Sequence, residues 1–163
     1  MIKSIRLDER LIHGQVATKW SRVLGGNRII VANNEAASNE VMQKSLMMAA
    51  PSTCKVAIVP VEKAVAFCND PRAEALSILV IVSNPDDLLT IARETHGAEQ
   101  VNVGNYGRIA PKRGTEARHS YSLNLYAYDD EAATLREVVA TGIPCNVQTI
   151  PDDAPQSLEK VLG

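Results

Sequence analysis

At 163 residues, 45% hydrophobic and 22% charged, the chain is long enough to bury roughly two thirds of its unfolded surface and too apolar to stay disordered. A net charge of -2 with 4% aromatics excludes the basic, aromatic-studded surface of a nucleic-acid binder. Cys54, Cys68 and Cys145 are odd in number and widely spaced without any C-x-x-C, which indicates neither a disulfide framework nor a zinc site. Charges at Lys3 and Arg6 interrupt the N-terminus too soon for a signal peptide, and no apolar run approaches the roughly 18 residues of a membrane span, so a cytoplasmic protein is expected.

Short β-branched runs predict seven strands, at Ile2 to Leu7, Arg28 to Ala32, Lys55 to Val59, Ile78 to Val82, Gln100 to Val103, Leu123 to Tyr126 and Cys145 to Thr149. Stretches of helical spacing separate most of them, such as Val16, Trp20, Val23 and Leu24 early and Ala132, Leu135, Val138 and Val139 late. Helix stops are expected at Gly25-Gly26, at Gly97 and at Gly142 with Pro144 following, and Asn84-Pro85-Asp86 reads as a helix start. The alternation predicts an α/β fold, an open and mainly parallel sheet of about seven strands with helices on both faces. The segment Gly104 to His119 leaves no room for a crossover helix, so one antiparallel strand is expected between Gln100 and Tyr126. No repeat or linker interrupts the chain, which reads as a single domain over 1–163.

In such a sheet, ligands sit beyond the carboxyl ends of the strands. The first strand-to-helix loop, Arg6-Leu7-Asp8-Glu9-Arg10-Leu11-Ile12-His13-Gly14-Gln15-Val16, joins an imidazole to two arginines and a glycine at a helix start. A neutral imidazole offers phosphorus a lone pair without a separate base. Backbone N–H groups around Gly14 and Gln15, aided by the helix dipole, suit phosphoryl oxygens, and Gly14 lets those oxygens approach closely. Arg10, with Arg6 as a second candidate, would neutralise charge during transfer, while Asp8 or Glu9 would hold an arginine or the imidazole. Competing readings are a surface or capping histidine at His13, a solvated edge charge at Arg6 and a simple turn cap at Asp8.

The segment Asp8-Glu9-Arg10-Leu11-Ile12-His13-Gly14-Gln15-Val16 closely resembles the D-x-R-L-I-H-G-Q-V segment of IIB components in the mannose/sorbose/N-acetylgalactosamine family of sugar phosphotransferase systems. Ala17 to Trp20, Arg28 to Val31, Met47 to Pro51, Val61 to Ala64, Val101 to Gly104 and Pro151 also look like family positions, so the resemblance covers nearly the whole chain. It implies a phosphohistidine at His13, on Nδ1, with Arg10 holding the phosphoryl group. It further implies a phospho-IIA donor, a sugar acceptor bound to membrane IIC and IID subunits, peripheral association with that transporter and no cofactor, and it leaves a homodimer open. A regulatory phosphoacceptor module of the same family is the alternative. After Gly104 the chain departs from the family, reading Asn105-Tyr106-Gly107-Arg108 and later Pro111-Lys112-Arg113-Gly114. Lys112 and Arg113 therefore read as a solvated loop in preference to phosphate ligands.

Outside the loop the signals are weak. No H-E-x-x-H or acidic cluster suggests a metal, and no G-x-G-x-x-G or G-K-[ST] suggests a nucleotide. His96 reads as a helix-end cation and His119 as a residue without a partner. Asn33, Asn34, Ser83, Asn84 and Asn105 all follow strands, where turn chemistry explains them, and one or two are expected to face the site.

Overall fold

The computed structural model describes residues 1–163. Its main sheet takes β1 (Ile2–Asp8), β2 (Arg28–Ala32), β3 (Lys55–Val59), β4 (Ile78–Val82), β5 (Val101–Asn105), β8 (Cys145–Val147) and β9 (Gln156–Ser157) in the order β3-β2-β4-β1-β5-β8-β9. All neighbours run parallel except β8 and β9. β6 (His119–Ser122) and β7 (Leu125–Ala127) form a separate antiparallel pair.

Alternation within the central strands assigns each residue to one of two cores. Ile29, Val31, Leu79 and Ile81 pack with Ala17 and Trp20 of α1 (Val16–Leu24), Ala36 of α2 (Asn34–Ala37) and Leu46 of α3 (Glu40–Ala49). Ile30, Ala32, Ile78, Val80 and Val82 turn to the opposite face. There they meet Ala64 of α4 (Val61–Asn69), Leu88 and Ile91 of α5 (Pro85–Glu94), Leu135 of α6 (Asp129–Val139) and Leu162 of α7 (Leu158–Leu162). Burying a large aliphatic side chain fully contributes about 1.5–3 kcal/mol, so these two layers supply most of the drive to fold. No helix is long and apolar enough to cross a membrane.

Several local signals hold. Gly25 ends α1 in the left-handed region at φ 66°, where a side chain would be strained. The Asn84 side chain accepts the Asp87 N–H at 2.8 Å with Pro85 in the first turn, as expected of a helix start.

Two strand expectations need correction. The run Leu123 to Tyr126 does not join the main sheet, because both edges of β5 are already taken by β1 and β8. The chain instead leaves the ladder at Tyr106, whose N–H and C=O bond Asn124 and Tyr126, and β7 pairs with β6 beside the rim. The antiparallel member of the sheet is therefore Gln156–Ser157, at its far edge. The last predicted strand also stops at Val147, so Gln148 and Thr149 are free to turn their carbonyls inward.

The segment after β5 is pinned by a buried cluster. Tyr106 Oη donates to Glu131, and Arg118 Nε donates to the same carboxylate at 2.8 Å while its guanidinium lies over the rings of Tyr106 and Tyr128. Arg118 also donates to the carbonyls of Ala110 and Pro111. Burial pushes the Glu131 carboxyl up, but hydrogen bonds from Arg118, Tyr106 and the Tyr128 backbone N–H outweigh it and hold it below the ordinary carboxylate range. A carboxyl with a lower pKa folded than unfolded contributes fully above its unfolded value of about 4.3, and that contribution is lost as pH falls through the folded value. Glu131→Gln should therefore lower the Tm at neutral pH and flatten the decline in Tm between about pH 5 and pH 2. Melts that decline in parallel for the two proteins would contradict this role for Glu131.

Candidate functional site

The site begins with two charged residues on the central strand. On β1, Ile5 and Leu7 belong to the core under α4 to α7, whereas Arg6 and Asp8 turn to the other face, where Trp20 of α1 and His13 wait. Both are almost fully buried, at 2% and 1% exposure. A buried carboxylate and guanidinium each lose water, and the loss is made good only by complete pairing.

That pairing is dense. Arg6 Nη2 lies 3.2 Å from Asp8 Oδ2 and donates to the Thr149 carbonyl at 2.9 Å, while Nη1 donates to Asn102 Oδ1 and to the Gln148 carbonyl at 3.3 Å. The guanidinium also stacks on Trp20, 5.4 Å from the ring, and Trp20 Nε1 bonds the Thr149 carbonyl at 2.9 Å. Burial pushes the Arg6 guanidinium below its ordinary range, against the opposite pull of Asp8. Gly104 supplies the necessary space, since a Cβ there would lie 2.1 Å from Arg6 Nη2. Arg6 is thus neither a solvated edge charge nor a group presented to an incoming phosphoryl, because it is buried and both its Nη groups are committed inside the protein.

Asp8 organises the loop that follows. Its backbone carbonyl accepts the Leu11 N–H at 2.9 Å, and its Oδ1 accepts the Arg10 N–H at 3.0 Å, closing a tight turn. Leu11 completes that turn at φ 60°, an uncommon conformation for a leucine, and is held there with its side chain in the core beside Ile12 and Trp20. The other oxygen, Oδ2, is shared between Arg6 and the ring, and sits 3.0 Å from His13 Nε2. An ionised carboxylate can only accept, so this contact makes Nε2 the N–H nitrogen and leaves the lone pair on Nδ1. The His13 side chain is 27% exposed, so the ring is gripped from one side and open on the other.

The other predicted residues flank His13 along the chain. Arg10 is exposed, and its guanidinium bonds nothing in the chain, in contrast to Arg6. Gly14 adopts φ 50° with nothing within 4 Å of where a Cβ would be, and Gln15 stands at the N-cap of α1 without a side-chain cap. Backbone N–H groups from Gly14 to Thr18 donate no hydrogen bond within the chain, which leaves them for an anion at the positive end of the helix.

The outlying candidates separate from this site. Asn33, Asn34, Ser83 and Asn84 line a cleft of about 460 Å³ that they share with Glu9, Asp87 and Tyr106, not with His13. Asn33 and Asn84 also cap their helices, so turn chemistry accounts for them. Asn105 Oδ1 is buried next to the end of β1 without a hydrogen-bond partner. His119 does find a neighbour, the exposed Asp129 at 3.5 Å, and His96 stands 3.9 Å from exposed Glu74. Arg113 pairs with Asp130, whereas Lys112 is exposed. No group of three or more His, Cys, Asp or Glu side chains is placed to hold a metal. Sequence reasoning missed Trp20, Asn102, Gly104 and the Gln148 and Thr149 carbonyls, because only the strand order brings them around Arg6.

Comparison with known proteins agrees with this architecture over its whole length. The chain matches the family described as the PTS system sorbose subfamily IIB component over residues 2–163. It is 41% identical over 140 residues to a probable phosphotransferase enzyme IIB component of Streptococcus pyogenes serotype M6, covering 86% of this chain and 85% of the relative. It is 34% identical over 149 residues to the sorbose-specific EIIB component of Klebsiella pneumoniae, covering 91% and 87%. The crystal structure of the IIBSor domain of the Klebsiella pneumoniae sorbose permease superimposes with a TM-score of 0.87 at 28% identity, over 99% of this chain and 96% of that one. On sequence and fold together, the chain belongs to the sorbose subfamily of IIB components of the phosphotransferase system.

Proposed function

We propose that the chain is a phosphocarrier that accepts a phosphoryl group on His13 from a phosphorylated IIA partner and passes it to a sugar held by membrane IIC and IID subunits. The observation that carries this reading is the 3.0 Å contact between Asp8 Oδ2 and His13 Nε2, which holds the proton on Nε2 and leaves the lone pair on Nδ1. In the first step the Nδ1 pair attacks phosphorus, the bond from phosphorus to the donor nitrogen breaks, and its electron pair returns to the donor ring. Positive charge that develops on the His13 ring is shared with Asp8 through the Nε2–H, so the carboxylate stabilises the phosphorylated state without taking the proton. In the second step a sugar hydroxyl oxygen attacks phosphorus and gives its proton to a base at the acceptor site or to solvent, and the pair in the P–Nδ1 bond returns to His13.

Phosphoryl transfer asks the protein mainly for positioning and charge neutralisation. Arg10 has an uncommitted guanidinium whose planar fork suits two phosphoryl oxygens, and the N–H groups from Gly14 through Thr18 suit the third. Asp8 acts as the orienting group for the ring, and Arg6 acts behind it. A IIB role also fits a partly exposed nucleophile, since the same ring must meet a protein donor and then an acceptor at the membrane.

Incubation with phosphoenolpyruvate, the general phosphotransferase proteins and a IIA protein should add the mass of one phosphoryl group to the intact chain. The label should be lost in acid, survive mild base and be absent from His13→Ala; a His13→Ala protein that labels normally would sink the assignment.

Arg10 offers a sharper test, since it is exposed and unpaired. Arg10→Ala should leave stability within about 1 kcal/mol while slowing transfer from phospho-IIA by about a hundredfold, with Arg10→Lys between the two because it keeps charge and loses the fork. Quenched-flow transfer and a melt of each variant decide it. Wild-type transfer by Arg10→Ala would reduce Arg10 to a solvated loop charge.

A further inference from the structure

Glu9 lies between the residue that orients His13 and the residue proposed to hold the phosphoryl group, yet it faces neither. Its carboxylate reaches into the segment after β5 and accepts four consecutive backbone N–H groups, from Gly107 at 3.1 Å, Arg108 at 3.0 Å, Ile109 at 3.2 Å and Ala110 at 3.1 Å. Such a run of convergent N–H groups is an anion-binding concavity, here filled by the chain's own carboxylate. The Glu9 backbone N–H in turn donates to the Asn105 carbonyl at 2.9 Å. Residue 9 is thus tied to the 105–110 segment by five hydrogen bonds.

The segment it grips cannot easily follow it. Arg118 bonds the carbonyls of Ala110 and Pro111, Tyr106 is fixed to Glu131, and Gly107 lies against the Tyr126 carbonyl so closely that a Cβ would come within 1.9 Å of its oxygen. On the other side of Glu9, the hydrogen bonds from the Arg10 and Leu11 N–H groups that close the turn both go to Asp8, and Leu11 is seated in the core. The His13 contact is made by the same carboxylate.

We propose that Glu9 is a positioning residue that holds the His13 imidazole in its Asp8-bonded orientation by anchoring the 8–11 turn to the 106–111 segment. Hydrogen bonds from N–H groups to a charged carboxylate are among the stronger ones, and four of them on one side chain fix both backbone neighbours of that residue. With the anchor removed, Asp8 stays in its strand but the turn loses its tie to the 106–111 segment, so His13 Nε2 drifts from the reach of Asp8 Oδ2. A misplacement of about 1 Å at a reacting group is enough to slow a reaction by about a hundredfold.

The test reads the imidazole directly. Nitrogen NMR of ring-labelled His13 in the full chain should show the Nε2–H tautomer in the wild type and a mixture of both tautomers in Glu9→Ala. Glu9→Gln, which keeps the size but loses the charge, should lie between and serves if Glu9→Ala does not fold. Val138→Ala in α6 is the control for lost stability, since it weakens the core away from the loop and should leave the tautomer unchanged. Unchanged tautomers in the Glu9 variants, with only a lower Tm, would overturn the proposal and make Glu9 a loop brace. The kinetic arm rests on the phosphocarrier reading and should show transfer at least about tenfold slower in Glu9→Ala. If the wild type takes no phosphoryl group, the phosphocarrier reading fails and the tautomer result still decides the role of Glu9.

Discussion

The buried ion pair between Arg6 and Asp8 is the interaction on which the rest of the site depends. A carboxylate at 1% exposure on a central strand is costly unless every lone pair is matched, and a guanidinium at 2% exposure carries the same demand for its N–H groups. The fold answers with parts drawn from across the sheet: an amide from β5, two carbonyls just past β8, an indole from α1 and a glycine where a methyl group would collide. Removing one member leaves the others buried and unmatched, which ties the geometry of the site to the stability of the sheet. The Asp8 oxygen that pairs with Arg6, Oδ2, also meets His13, while Oδ1 accepts the Arg10 N–H.

From there three consecutive residues leave the strand in three directions, each with a separate use. Asp8 turns back to the ring of His13, Glu9 crosses to the segment beyond β5, and Arg10 projects into solvent with its charge uncommitted. The division explains how one short loop combines rigidity with reactivity. Its fixed charges are spent inside the protein, and the charge that an incoming phosphoryl group would need is kept outside.

Much of this was legible in the sequence, and what was not has a physical reason. Strand and helix periods gave the two cores, since Ile29 to Ala32 and Ile78 to Val82 are apolar on both faces as strands buried between helix layers must be. Asn84-Pro85 and Gly25 marked real helix ends because capping is local chemistry. The run Leu123 to Tyr126 misled because a β-prone segment pairs only where an edge is open, and β8 had closed the edge of β5. Arg6 misled for a related reason. Its alternation on β1 read as an edge position, and only the strand order puts β1 at the centre with Asn102 and Gly104 alongside. Glu9 was named only as a holder of an arginine or the imidazole, because its true partners are backbone N–H groups about a hundred positions away in the chain, as the bond to Ile109 illustrates. Backbone donors leave no mark in side-chain identity.

The central claim is that Asp8 fixes which nitrogen of His13 is the nucleophile. Phosphorus and nitrogen NMR of the phosphorylated, ring-labelled protein measures this directly through the nitrogen to which phosphorus is coupled. The account predicts coupling to Nδ1, with Nε2 still carrying its proton against Asp8. Phosphorus coupled to Nε2 would mean that the contact with Asp8 breaks during transfer, and would contradict it.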